Sequence, residues 1–162
     1  MARHLSRLGR GTAALTVAKA AVGENPLPAE AAFIGCLLRD SGDLAQALHH
    51  LRTAMNPASA DFLAVYGDCL LQSGAITEAS KAYEAALLVS PDHAPARAGH
   101  GVALSASGNH TAAVEQLNRA RALNPHDEWI HVALARALAR AGRTEEALRQ
   151  YGHLHGRRIR ER

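Results

Sequence analysis

Small and apolar positions return along this chain at a fixed interval. Gly67, Leu70, Gly74, Ala79, Ala86 and Pro91 reappear 34 residues later as Gly101, Leu104, Gly108, Ala113, Ala120 and Pro125. A looser copy follows in Ala135, Leu138, Gly142, Ala147 and Leu154. A backward copy fits Gly35, Leu38, Gly42, Ala47 and Ala54, with Pro57 early because the connecting loop is two residues shorter. Repetition at this length denotes a solenoid in which each unit packs only on its neighbours.

Each period reads as two helices joined by a tight turn. In the clearest copy, helix A runs from about Asp61 to Ser73 and sets Leu63, Tyr66, Gly67 and Leu70 on one face. Gly74 ends it, because glycine adopts the left-handed conformation beyond a helix C-terminus at little cost. Thr77 is the expected N-cap of helix B. That helix turns Ala79, Ala82, Tyr83, Ala86 and Leu87 inward and stops before Pro91, which cannot continue it. The small residues have a packing reason: Gly67 with Ala79, and Gly101 with Ala113, suit close crossings that a larger side chain would hold apart. Tyr83, Leu117 and Tyr151 then fill the space between successive units.

The motif Tyr66-Gly67-x-x-Leu70-x-x-x-Gly74-x-Ile76-x-x-Ala79-x-x-x-Tyr83-x-x-Ala86-Leu87-x-x-x-Pro91 resembles the tetratricopeptide repeat. The resemblance covers roughly residues 28–161. It implies an all-α fold, a right-handed superhelical solenoid of antiparallel helix pairs with about four repeats and an N-terminal helix. The expected units are 28–59, 60–93, 94–127 and 128–161. Residues 1–27 are expected to be a basic segment with a partial repeat, in which a helix at 12–22 covers the apolar edge of the first unit.

Charge changes the picture only at the ends. The net charge is +3, but residues 1–19 hold Arg3, Arg7, Arg10 and Lys19 without an acid, and residues 157–162 hold four arginines against Glu161. The body between is mildly acidic. A nucleic-acid-binding array would carry its positive charge along the repeats, so no nucleic-acid partner is expected. Cys36 and Cys69 fall on successive repeats in a chain without disulfide-rich character, which predicts free thiols. No apolar run is long enough to span a membrane. Lys19 interrupts the apolar stretch after the basic start, and no small-residue cleavage site follows. The Phe33-Ile34-Gly35-Cys36 sequence looks like a lipoprotein cleavage box, but Glu24, Pro26, Pro28 and Glu30 precede it. The expected location is cytoplasmic, with a periplasmic or partner-mediated membrane association as the alternative. The Ala-, Arg- and Gly-rich style suggests a bacterial source.

The resemblance implies peptide binding along a concave surface made by the A helices. Helical spacing then names a stripe beside the packing face: Arg39 in the first unit, Asp61, Asp68 and Gln72 in the second, Val102 and Ser105 in the third, Trp129, Arg136 and Arg140 in the fourth. Its middle is small and apolar, with an acidic patch at Asp61 and Asp68. Arg136 and Arg140, four apart, share a helix face and could hold a carboxylate or phosphate by forked hydrogen bonds, or else pair with carboxylates on neighbouring helices. Trp129, the sole tryptophan, is either an exposed interface anchor or packs over Asn124 and Pro125. Ala32, Cys36, Ala64, Val65, Asp68 and Ala98 stand where some relatives carry a lysine/asparagine clamp for chaperone tails, so that specificity is not expected.

The ten histidines lack metal-ligand spacing: His49 and His50 are adjacent, and His153 and His155 are two apart. There is no phosphate loop and no Gly-x-Ser-x-Gly elbow. No enzyme activity, cofactor or metal is expected. The expected function is a scaffold or adaptor that binds a protein segment in its groove, in secretion, pilus or envelope assembly or a regulatory complex. Head-to-tail self-assembly into a homo-oligomer is the alternative. A non-catalytic module of a larger enzyme complex is the remaining reading.

Overall fold

The computed structural model describes residue 16, residues 27–54 and residues 59–160, the last eight by their backbone alone. The covering helix expected at 12–22 lies outside the described residues except for Thr16, which is helical. Eight helices follow among the described residues: α1 (Pro28–Asp40), α2 (Leu44–Thr53), α3 (Ala60–Gln72), α4 (Ile76–Val89), α5 (Ala94–Ala106), α6 (His110–Leu123), α7 (Glu128–Arg140) and α8 (Thr144–Arg160). The odd-numbered helices are the A members of each pair and the even-numbered ones the B members. The fold is the all-α tetratricopeptide solenoid that the 34-residue pattern implies.

Local chemistry sets the boundaries. Each A helix ends before a glycine with φ between 78 and 88° (Gly42, Gly74, Gly108 and Gly142), a conformation an L side chain would strain. Side chains cap several N-termini: Asp43 accepts from Gln46 N–H, Ser59 from Phe62 N–H, and Asp127 from Trp129 N–H. The expected Thr77 cap is not formed. The cap position falls two residues earlier, at Ala75, which makes no side-chain bond, and helix α4 begins at Ile76. The backbone closes this turn by itself, with Ala75 N–H donating to Leu70 and Ile76 N–H to Gly74.

Each A helix packs on its own B helix and on the next A helix, and each B helix packs on the following A helix. Among the described residues no B helix packs extensively on another B helix, so the A helices form the inner wall of the curve. The core is accordingly divided among the interfaces between units. Tyr83 and Leu117 are fully buried there. A Cβ at Gly67 or at Gly99 would run into the Tyr83 ring, and one at Gly101 would sit 3.2 Å from the Ala113 carbonyl oxygen and against Leu117. The Gly101–Ala113 crossing is therefore as close as the small residues suggest. At Gly67 the limiting neighbour is Tyr83 in place of Ala79. Tyr151, expected to fill an inter-unit space, is 38% exposed. No helix among the described residues covers it, and Ala135 carries the Cβ that Gly67 lacks beneath Tyr83.

Candidate functional site

Two adjoining cavities open along the A-helix wall and share Trp129. The first, about 370 Å³, is lined by Arg39, Asp40, Asp68, Gln72, Pro95 and Asp127 among others. The second, about 400 Å³, is lined by Val102, Ser105, Glu128, Val132, Arg136 and Arg140 among others. Trp129 is the second residue of α7 and half of its surface is exposed. Asp127 caps the helix just before it, so the indole stands at the helix entrance between an acidic hollow and a more basic one.

The polar groups of the first cavity are largely committed to one another. Arg39 donates from one terminal nitrogen to Asp68 at 2.8 Å and from its other nitrogens to Asp40 at 3.0 and 3.1 Å. Asp68 also accepts the Tyr83 hydroxyl at 2.7 Å. One aspartate thus joins α1, α3 and α4. Burial pushes the Asp68 carboxyl up from its ordinary range, while the bonds from Tyr83 and Arg39 pull against it. Asp68 is therefore a structural link as well as a residue lining the cavity. The expected acidic patch is divided: Asp61 lines neither cavity, and its carboxylate meets His93 Nε2 at 2.9 Å. His93 Nδ1 accepts from Ala96 N–H, so the ring carries its proton on Nε2 and donates to Asp61.

The second cavity differs in kind. Arg140 donates to the Ser105 hydroxyl at 3.3 Å, and Ser105 is otherwise buried. Among the described residues neither Arg136 nor Arg140 has a carboxylate partner within ion-pair distance. Two forked cations therefore border a hollow whose other walls are Val102, Val132, Ala133, the Trp129 ring and, at one edge, Glu128. This arrangement suits an anionic group beside an apolar one.

Burial pushes the Cys69 thiol up to about 11 and raises that of Cys36, so neither has the thiolate character of a reactive cysteine. Both thiols are free. No cluster of metal-ligating side chains occurs among the described residues, and no described helix is long and apolar enough to cross a membrane.

Residues 35–161 match the family described as the bacterial transcriptional activator domain. The chain belongs to this family. Among curated proteins, none matches it in sequence. Among solved structures it is similar to TTC0263, a thermophilic TPR protein of Thermus thermophilus, at 27% identity and a TM-score of 0.83 over 94% of this chain and 85% of that one. It is also similar in fold to a MamA structure, at 16% identity and a TM-score of 0.74 over 99% and 96% of the two chains. MamA from Desulfovibrio magneticus RS-1 gives 21% identity and a TM-score of 0.74 over 96% and 89%. None of these descriptions names a catalytic activity.

Within this activator-domain chain, Arg39, Asp68, Gln72, Val102, Ser105, Trp129, Arg136 and Arg140 all reach one of the two cavities, and Asp61 does not. Asp127, Glu128 and Ile130 also line them but escape a stripe drawn at helical spacing. The signal for Asp127 was available: an aspartate just before Glu128-Trp129 reads as an N-cap, which puts it at the rim of the helix that bears the tryptophan.

Proposed function

We propose that the chain is the protein-interaction module of a bacterial transcriptional regulator and takes a partner's peptide segment along its A-helix wall. The observation that carries this reading is the pair of cavities joined at a half-exposed tryptophan, with two arginines beside it that form no ion pair among the described residues. An aromatic anchor and forked cations supply what a groove needs for an acidic segment with an apolar side chain. Family membership favours a regulatory assembly over secretion or pilus assembly. The mildly acidic body assigns nucleic-acid contact to other parts of such a regulator.

Selection from a random peptide display library tests this reading. Peptides enriched on the wild-type domain are expected to pair an acidic residue with an apolar one, and to lose binding to Trp129→Ala and to Arg136→Glu/Arg140→Glu. Peptides that bind these variants as well as wild type would place recognition elsewhere.

A further inference from the structure

Trp129, Val132, Arg136 and Arg140 follow one another down a single face of α7, and all four line the second cavity. That cavity is therefore a trough along the helix, bounded on its far side by Val102 and Ser105 of α5. Its ends differ in chemistry. The half-exposed indole stands at the N-terminal end of α7, and the two arginines stand toward the C-terminal end.

Helix geometry turns this order into a length. An α-helix rises about 1.5 Å per residue, so Arg136 and Arg140 stand about 10 Å and about 16 Å along the axis from Trp129. A carboxylate shared by both arginines then lies about 13 Å from the indole. A helical ligand, about 10–12 Å across, is too broad for hollows of about 370 and 400 Å³. An extended chain is narrower, advances about 3.3 Å per residue and returns alternate side chains to the same face. About three to five of its residues span the distance to the arginines, and of these only a spacing of four brings the second side chain back to the wall.

Charge fixes where the acid can lie. On the other side of Trp129 the first cavity sets Asp40, Asp68 and Asp127 against Arg39 alone. Glu128 stands at the edge of the second cavity, beside the indole. Both repel an acid placed beyond the aromatic anchor or next to it. The far end of the trough is left for it.

We infer that the partner segment lies extended along α7, with an apolar side chain against Trp129 and an aspartate or glutamate four residues away between Arg136 and Arg140. This rests on the peptide-binding reading of the A-helix wall and adds to it the conformation and spacing of the segment bound.

Random peptides selected by display on the full chain, followed by fluorescence anisotropy of labelled synthetic copies, test the inference. Aligned sequences should set the acid four positions from the apolar anchor. In the tightest peptide, inserting one glycine between anchor and acid turns the carboxylate to the opposite face and should weaken binding about tenfold. Circular dichroism should show no helix gained by the peptide on binding. The variants Trp129→Ala and Arg136→Glu/Arg140→Glu, all at exposed positions, should keep the wild-type melting profile and lose the peptide. Peptides that need Trp129 and the arginines but show another spacing, tolerate the inserted glycine or fold into a helix would overturn the inference and leave the peptide-binding reading in place. Peptides indifferent to both variants, or a selection that enriches none, would overturn that reading and the inference with it.

Discussion

The Tyr83 hydroxyl on α4 donates to the Asp68 carboxylate on α3 at 2.7 Å, and Arg39 on α1 binds the other oxygen of the same carboxylate. Tyr83 is fully buried. Burial, and then the negative charge of Asp68, push its phenol far above the ordinary value of 10.0. In the unfolded chain the phenol loses its proton near the ordinary value, while in the folded chain it keeps it. Its stabilising contribution is therefore complete below pH 10 and declines as pH rises further. The melting temperature should fall above that point, and Tyr83→Phe should flatten the fall while costing about 1.5–3 kcal/mol at neutral pH. Thermal melts of both proteins between neutral and strongly alkaline pH check this. Parallel curves would contradict it.

Gly99 exists to admit the Tyr83 ring. Gly99→Ala should destabilise by about 1–3 kcal/mol, since the ring must move. One unit further on, the same two places hold Ala133 and Leu117, both buried. In a Tyr83→Leu background, Gly99→Ala should therefore cost close to nothing. A double-mutant cycle in urea measures the coupling, and additive losses would show that the two positions do not share this space.

Arg39 and Arg143 each bind carboxylates in two-pronged fashion, but only one bridges helices of different units. Arg39 is 19% exposed, and its removal leaves the half-buried Asp68 charge with Tyr83 alone. Arg143 and Glu146 are both well exposed, three residues apart. Arg39→Ala should cost about 1–3 kcal/mol, and Arg143→Ala less than about 1 kcal/mol. Chemical denaturation of the two variants decides the order.

The fold was legible because it repeats: glycines, alanines and prolines one period apart can only be reconciled by stacked hairpins. Most residues lining the two cavities were also legible, since helical spacing projects an A-helix stripe without knowledge of tertiary contacts. Pairings across units were not legible. Arg39 and Asp68 are 29 residues apart, and nothing local ties them. Gly99 fell outside the repeating set because its reason is the bulk of Tyr83 in the preceding unit, where the next unit has leucine. Thr77 failed as a cap because the turn after Gly74 satisfies its own backbone. Tyr151 shows the limit of periodicity: a position's environment repeats only where a next unit covers it.

Among the described residues Arg136 is exposed without an ion-pair partner, and Arg140 contributes only a 3.3 Å bond to Ser105. Arg136→Glu/Arg140→Glu should therefore change stability by no more than about 0.5–1 kcal/mol. The same pair should abolish binding of a selected acidic peptide. Calorimetric melting set beside a binding isotherm separates the two roles. A variant that unfolds would make these arginines part of the scaffold.

The account rests on the A-helix wall as the recognition surface. Amide hydrogen exchange, with and without a saturating display-selected peptide, tests this most directly. Protection should concentrate in α5 and α7, centred on the turn that carries Trp129, and extend to the C-terminal end of α3. Protection confined to the B helices, with the Trp129 turn unchanged, would contradict it.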